Sequence, residues 1–354
     1  MGFLITILSL GFVIFIHELG HLWAAKRAGV GVLEFSIGMG PRLWGRKVGE
    51  TEYSLRIFPF GGFVKLAGMD ESDTEVPDYL NYNKKSIPAR LLTISAGSLM
   101  NILLGFVIFL VMYIGLGVPE QTSVVSGVVP GSPAARAGLS TGDKIVRFES
   151  KPVDGGRVSD MVRVIHQSAG KSLHFEFMRE GKLNSVLIAP EILKAESKEA
   201  LIGIIFKQEV KQYGVFQGFL LSIEATASRI WGVFHSISYL IHGKAGLKEM
   251  SGPIGIVQFA AFGLHQGVVY FLNIMAMISI SLGVFNLFPF PVLDGGHMVF
   301  LILEALFGKP INKKWEARVN TAGIIILVSV MVIILVNDVV HWQDRMSLFK
   351  RLFP

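Results

Sequence analysis

Four long apolar stretches constrain this chain more than any other feature of its sequence. They cover residues 1–25, 91–119, 266–293 and 319–337, and the last three contain no charged side chain. A membrane-spanning helix needs about 20 consecutive, mainly apolar residues. With 51% hydrophobic and 17% charged residues over 354 positions, the composition excludes a disordered chain and disfavours an entirely soluble one. The sequence therefore predicts a polytopic α-helical membrane protein with about four transmembrane helices.

Charge and cysteine content narrow the possible sites and partners. The net charge is +6, but no stretch combines dense lysine and arginine with stacking aromatic residues, so we expect no nucleic-acid partner. The chain contains no cysteine, which excludes disulfides, thiolate zinc ligands and a cysteine nucleophile. Lysine and arginine concentrate between the first two apolar stretches and at 309–318. The positive-inside rule predicts that both loops are cytoplasmic, and that both termini and residues 120–200 lie on the opposite side.

The first apolar stretch contains the motif His17-Glu18-Leu19-Gly20-His21. On a helix, positions i and i+4 share a face, so both imidazoles can bind one zinc ion, and Glu18 can take a proton from the attacking water. Taken alone, the motif could also be two histidines with ordinary helix partners. A charged side chain inside a membrane span costs about 2.5–3.5 kcal/mol on insertion scales, so three ionisable residues this close together favour a metal site.

A third zinc ligand is expected elsewhere in the chain, because a catalytic zinc holds three protein ligands and keeps an open position. Asp294 stands at the end of the third apolar stretch, in the segment NLFPFPVLDGGH at 286–297. Pro289 and Pro291 interrupt the helix there, and irregular backbone at membrane depth is tolerated only against protein or a water-filled cavity. Asp294 is therefore a candidate ligand. The alternative is a solvated aspartate in a loop that leaves the membrane.

HExxH in the first span and NxxPxPxxDGGH in a later one together resemble the site-2 protease family of intramembrane metalloproteases. The likeness is to the bacterial regulator-of-sigma-E protease type (RseP-like), and it extends to GGFVKLAGM at 61–69 and SGPI at 251–254. In the second span the family often has AGPxxN. This chain keeps Asn101 but has Ser98 where the family has proline, which leaves any helix kink there uncertain.

The resemblance implies the roles of particular residues. It implies a zinc cofactor held by His17, His21 and Asp294, with Glu18 as the general base. It also implies that Asn286 contacts the substrate or its developing oxyanion. These roles are expectations that come from the family likeness, beyond what the spacing alone gives.

Residues 120–200 are typical of a small β-rich domain. Short alternating strands are predicted at 144–148, 173–178 and 185–188, separated by Gly- and Pro-containing turns. The stretch GSPAARAGLSTGDKI at 131–145 matches the SPAxxAGLxxGDxI pattern of bacterial PDZ domains and resembles a single inserted PDZ-like α+β domain. The alternative is a generic β-rich spacer.

Residues 53–66 alternate weakly between apolar and polar positions, which predicts a hairpin that turns through Pro59-Phe60-Gly61-Gly62. The resemblance implies that this is a membrane-associated β-loop. A substrate helix must be extended before it is cut, and an extended backbone in lipid loses its hydrogen bonds. A strand edge at Leu55 and Ile57 would supply partners to the substrate by β-addition, and Gly61 and Gly62 in the turn are further candidate substrate-binding residues. The alternative is an ordinary cytoplasmic hairpin.

The predicted organisation has four parts. Residues 1–119 contain the HExxH span, the β-loop and the second span, and residues 120–200 form the PDZ-like domain. Residues 201–265 form an amphipathic segment on the membrane surface, since residues 211–243 are apolar but carry Glu224, Arg229 and His235. Residues 266–354 form the C-terminal membrane part.

By resemblance, the protein is an intramembrane zinc endopeptidase of the bacterial inner membrane, with its PDZ-like domain and both termini in the periplasm. Its expected partners are the lipid bilayer and single-span membrane proteins, such as a trimmed anti-sigma factor or remnant signal peptides. Two other classes stay open. A membrane zinc transporter would usually show repeated halves, and HELGH occurs once. An inactive PDZ-bearing membrane scaffold would not need Glu18.

Overall fold

The structure is a computed structural model that describes residues 2–69, 76–153, 158–192, 200–243 and 252–342. The chain forms two compact units. We call residues 1–116 together with 214–354 the helical unit, and Gly117–Tyr213 the β-rich unit. Ser251 of the SGPI motif and residues 343–354 of the predicted C-terminal part lie outside the described residues.

Helices dominate the first unit and strands the second. In chain order the elements are α1 (Gly2–Arg27), β1 (Val32–Val48), β2 (Thr51–Leu66), a short 3₁₀ turn (Tyr82–Lys84), α2 (Ile87–Leu110) continued by a π-helix (Val111–Leu116), β3 (Val118–Val128), α3 (Pro133–Arg136), β4 (Lys144–Phe148), β5 (Lys151–Pro152), α4 (Val158–Gln167), β6 (Leu173–Arg179), β7 (Lys182–Ile188), β8 (Ile204–Lys211), α5 (Val215–Ile241), α6 (Pro253–Gln266), α7 (Val268–Asn286), α8 (Asp294–Phe307) and α9 (Lys313–Val340).

Within the described residues, four helices are long and apolar enough to cross a membrane: α1, α2 with its π-helical continuation, α7 and α9. The prediction of four transmembrane helices is confirmed. The third is shorter than predicted, because α7 ends at Asn286 and Pro289 and Pro291 follow it. The fourth begins earlier than predicted, at Lys313, where the side chain of Asn312 caps the helix by accepting a hydrogen bond from Lys314 N.

The β-rich unit is built on one sheet with the strand order β7-β6-β4-β3-β8, and β5 pairs with β4. Side chains from the sheet and from α4 form its core, and Val125, Ile145, Met161 and Phe175 are almost completely buried. The strands predicted at 144–148, 173–178 and 185–188 correspond to β4, β6 and β7. This α+β architecture is the PDZ-like insert that the sequence predicts.

The boundary predicted at residue 200 is wrong for this unit. β8 lies at 204–211 and pairs antiparallel with β3, from Val118 opposite Lys211 to Val128 opposite Ile204. The amphipathic segment predicted at 201–265 therefore begins with a strand. That segment is therefore divided: β8 belongs to the β-rich unit, whereas α5 and α6 belong to the helical unit.

The β-loop is more elaborate than the predicted hairpin. β1 and β2 pair with an irregular register, in which Glu34 lies opposite both Glu52 and Lys65, and Ile37 lies opposite both Leu55 and Gly62. Residues 34–37 thus lie between two segments of β2, namely 52–55 and 62–65. The chain does double back near 59–61, but its two arms flank 34–37 instead of pairing with each other. Local alternation cannot reveal an insertion of this kind.

Candidate metal centre

The HExxH motif lies on α1, so its two histidines face the same side of one helix. The Nε2 atoms of His17 and His21 are 3.2 Å apart, and each residue is only 8% exposed. The spacing of four residues places one side chain a single turn above the other. Two imidazole nitrogens that face each other at this distance suit one shared cation.

Asp294 completes the cluster from a distant part of the chain. After α7 ends, the irregular segment 287–293 leads to α8, whose first residue is Asp294. Its Oδ2 lies 3.4 Å from His17 Nε2 and 3.5 Å from His21 Nε2. The turn into α8 is very tight, because a Cβ added to Gly295 would lie 2.1 Å from the carbonyl oxygen of Phe288. The DGG sequence therefore allows the carboxylate to reach the two histidines.

These three atoms fit a zinc ion. Zinc bonds of about 2.0–2.1 Å place two ligand atoms of a tetrahedral ion about 3.3–3.4 Å apart. The three separations here are 3.2, 3.4 and 3.5 Å. Within the described residues, this is the one group of three or more His, Asp or Glu side chains that converges in this way. Two imidazoles and a carboxylate also leave one position of a tetrahedral ion open, as catalysis requires.

Backbone and side-chain groups of α2 surround the ligand candidates. His21 Nδ1 lies 2.9 Å from the carbonyl oxygen of Thr93, which accepts its proton and leaves Nε2 free for a metal. The hydroxyl of Ser98 donates to Asp294 Oδ2 at 3.0 Å. Sequence reasoning gave no role to Thr93 and left Ser98 unexplained. The signal was available in their spacing, since residues 93, 97, 98 and 101 share one face of a helix.

Asn101 is the fourth residue of this face and is fully buried. Its Nδ2 lies 3.4 Å from His17 Nδ1, and within the described residues its Oδ1 has no hydrogen-bond partner. Turning the amide over exchanges the two atoms, so that Oδ1 accepts from His17 Nδ1–H. In that arrangement His17 offers Nε2 to a metal.

Gly97 lets α2 approach this close to α1. A Cβ at position 97 would lie 2.3 Å from His21 Nε2, and one at Gly20 would lie 2.5 Å from the carbonyl oxygen of Ala96. Small residues at a helix interface allow close packing of backbones within membranes. The ring of His21 therefore occupies the space that a larger residue at position 97 would fill.

Glu18 lies beside the cluster and next to the β-loop. A Cβ added to Gly62 would lie 3.0 Å from Glu18 Cγ, so β2 passes directly along the side chain of Glu18. The nearby segment 62–65 pairs with 34–37, and within the described residues no second strand pairs with it, so it lies at an edge of the β-loop sheet. This edge, rather than the one predicted, runs past the candidate centre.

Leu55 and Ile57, two of the predicted substrate contacts, lie on the first arm of β2. Leu55 is paired on both sides, with Ile37 and with Trp44, so its backbone does not form a free edge. Ile57 lies between Arg56 and Phe58, which pair with Arg42 and Met39. Asn286 is the last residue of α7, and within the described residues its side chain makes no hydrogen bond to the three ligand candidates.

Comparison with known proteins decides the family. The model of Peptidase family M50 matches residues 5–330 of the chain. The chain belongs to peptidase family M50. This is the site-2 protease family that the two motifs resemble, and membership confirms the predicted enzyme class, a zinc metalloprotease.

Relatives of this M50 peptidase match nearly its whole length. A protein of Clostridium perfringens (strain 13 / Type A) is 34% identical over 345 residues, which cover 96% of this chain and 99% of the relative. The zinc metalloprotease RasP of Geobacillus kaustophilus is 29% identical, with 94% and 96% covered. The regulator of sigma-W protease RasP of Bacillus subtilis is 28% identical, with 94% and 97% covered.

A solved structure resembles part of this M50 peptidase. The PDZ domain of an SdrC-like protein from Listeria monocytogenes aligns at 20% identity and covers 25% of this chain and 90% of that domain, with a TM-score of 0.22.

Proposed function

We propose that this M50 peptidase cuts the transmembrane segments of single-span membrane proteins, with zinc held by His17, His21 and Asp294. The observation that supports this most is the position of the ligand triangle. Two of its members lie well inside α1, a helix able to cross a membrane, and the third follows α7, another such helix. A peptidase centre at that depth meets peptide bonds that are themselves within the bilayer.

The chain supplies the acid–base chemistry. When bound, zinc polarises the scissile carbonyl and acidifies the attacking water. The carboxylate of Glu18 takes a proton from that water and passes it to the leaving amine nitrogen. Asn286, one residue before the helix break, donates to the developing oxyanion once substrate is in place. The close packing of α1 against α2 through Gly20 and Gly97 keeps bulk water away from this side of the centre.

The edge of β2 presents the substrate. An extended substrate backbone needs hydrogen-bond partners, and the outer segment 62–65 provides a strand edge beside Glu18. Gly62 lets this edge approach the side chain of Glu18 closely, whereas a Cβ added to Gly61 would lie 3.0 Å from Met39 Sδ. In this proposal Leu55 and Ile57 stabilise the sheet, and segment 62–65 pairs with the substrate.

Crosslinking tests the choice of edge in this cysteine-free chain. Single cysteines at Phe63, Val64 and Lys65 should crosslink to cysteines in the substrate span with strand periodicity, strong at alternate positions. Cysteines at Leu55 and Ile57 are the matched controls and should crosslink weakly. Strong crosslinks at 55 and 57, with none at 63–65, would show that the substrate pairs with the segment around Leu55 and Ile57 instead.

The substrate class follows from the relatives and from topology. A relative named as a regulator of sigma-W protease suggests a membrane-anchored regulator of transcription, such as a trimmed anti-sigma factor, and remnant signal peptides have the same single-span form. We place the basic loops in the cytoplasm, and the termini and β-rich unit on the outer side of the bacterial inner membrane.

Product mapping tests the proposed function. Full-length protein in liposomes with zinc should cut a single-span substrate at a bond inside its apolar segment, which mass spectrometry of the fragments locates. The same substrate with its apolar segment replaced by a soluble sequence is the control and should be cut poorly. Cuts confined to the water-exposed flanks would contradict intramembrane proteolysis, and zinc transport without cleavage would favour the transporter.

A further inference from the structure

α2 touches the ligand cluster through a residue whose role the family likeness does not explain. Ser98 stands where the family often has proline, and its side chain is fully buried. Its Oγ donates to Asp294 Oδ2 at 3.0 Å. That same oxygen is the one that faces both histidines, at 3.4 and 3.5 Å. The serine therefore holds the ligand atom itself, and not the far side of the carboxylate.

The direction of this hydrogen bond is unusual for a helical serine. Serine and threonine in helices commonly donate to a carbonyl of the preceding turn. On the same helix, Thr93 donates to Ala89 O and Ser95 lies 3.4 Å from Leu92 O, whereas Ser98 donates across the helix interface. Its hydroxyl is thus committed to the carboxylate.

A second connection holds α8 in place without Ser98. Arg90, near the start of α2, pairs through both terminal nitrogens with the carboxylate of Glu304, and Nη1 lies 3.0 Å from Oε2. Eight positions separate the two contact residues on α2, and ten separate those on α8. Because the distant ion pair already fixes the helix, the bond from Ser98 acts mainly on the rotation of the Asp294 carboxylate.

We propose that Ser98 is a positioning residue for the third metal ligand. Its hydroxyl fixes the Asp294 carboxylate in the rotation that directs Oδ2 towards both imidazoles. A proline at this position could not do so, because it has no donor. This inference rests on the proposed function, in which Asp294 is a zinc ligand. Residues that hydrogen-bond to a metal ligand typically contribute about 10- to 100-fold to metal affinity or activity.

Ser98→Ala tests the proposal, because it removes the hydroxyl and little else. In the full-length protein, the zinc Kd measured by chelator competition should rise about 10- to 100-fold. At limiting zinc, kcat should fall while KM for the substrate stays the same, and excess zinc should restore most of kcat. Cobalt-substituted Ser98→Ala should show an altered visible absorption spectrum. Ser95→Ala, one turn away on the same helix, is the control and should match wild type in each measurement.

Thermal unfolding separates positioning from a structural role. If Ser98 positions the ligand, a fixed zinc concentration should raise the Tm of Ser98→Ala less than that of wild type. An unchanged zinc-induced rise, together with a lower Tm of the zinc-free protein, would make Ser98 structural and overturn the proposal. Wild-type zinc affinity and cobalt spectrum would overturn it as well. Asp294→Ala, measured alongside, distinguishes failure of the Ser98 proposal from failure of the proposed ligand set. Only if Asp294 is not a zinc ligand would this variant keep full zinc affinity.

Discussion

Replacing Gly97 with alanine should damage the centre through a single added methyl group. The new Cβ would lie 2.3 Å from His21 Nε2, 2.7 Å from Cδ2 and 2.8 Å from Cε1, whereas ordinary contact begins at 3.4 Å. The ring of His21 already lies against the backbone of α2 at position 97. The overlap of about 1.1 Å must therefore be relieved by moving His21 or by separating α1 from α2.

Either movement is large compared with what a zinc site tolerates. Ligand distances must hold within about 0.2 Å, and a misplacement of about 1 Å can cost about 100-fold in rate. Overpacking of this kind also costs about 1–3 kcal/mol of folding free energy. We therefore expect Gly97→Ala to fold with a lower Tm, to bind zinc at least about 10-fold more weakly, and to lose about 99% of its cleavage rate.

Gly115→Ala is the matched control, since it lies on the continuation of the same helix and its added Cβ would have no heavy atom within 4 Å. Zinc affinity by chelator competition and initial cleavage rates should be near wild type for this variant. If Gly97→Ala binds zinc and cleaves as well as Gly115→Ala, His21 does not lie against α2 and the described centre is wrong.

Three further predictions concern separate parts of the molecule. Asp294→Ala should lower zinc occupancy in metal analysis together with activity, since two imidazoles alone would remain; full occupancy would refute the ligand assignment. Deleting Gly117–Tyr213 should allow untrimmed substrates to be cut while trimmed ones are cut as before, and loss of cleavage of trimmed substrates would mean that the unit recruits instead of excludes. In the β-rich unit, burial would raise the pKa of Asp143, but hydrogen bonds from Arg179 and from Ser140 N hold this pKa below its ordinary value. The resulting stabilisation is present above about pH 4, the ordinary range for aspartate, and is lost as the pH falls towards the lowered pKa. Thermal unfolding of Asp143→Asn should therefore depend less on pH in that acidic range than unfolding of wild type, and identical profiles would contradict this.

The sequence predicted what depends on local pattern. The i, i+4 spacing of His17 and His21, and the cost of placing such side chains in an apolar stretch, indicated a metal site before any fold was known. Asp294 could be selected because it was the acid beside a helix break. All three side chains converge in the structure.

What the sequence could not predict depends on register between distant segments. The strand edge beside Glu18 is 62–65 and not 55–57, because residues 34–37 insert between the two arms of β2. Nothing in the weak alternation of 53–66 carries that information. The role of Ser98 was hidden for the same reason, since its partner lies 196 residues further along the chain.

Glu18→Gln tests the central claim most directly. The amide keeps the size of the side chain but cannot take a proton from the attacking water. In liposomes with a single-span substrate, the variant should bind zinc as wild type does and cut at least about 100-fold more slowly, with any residual product from the same bond inside the membrane. Cleavage by the zinc-loaded Glu18→Gln variant at the wild-type rate would contradict the assignment of this centre.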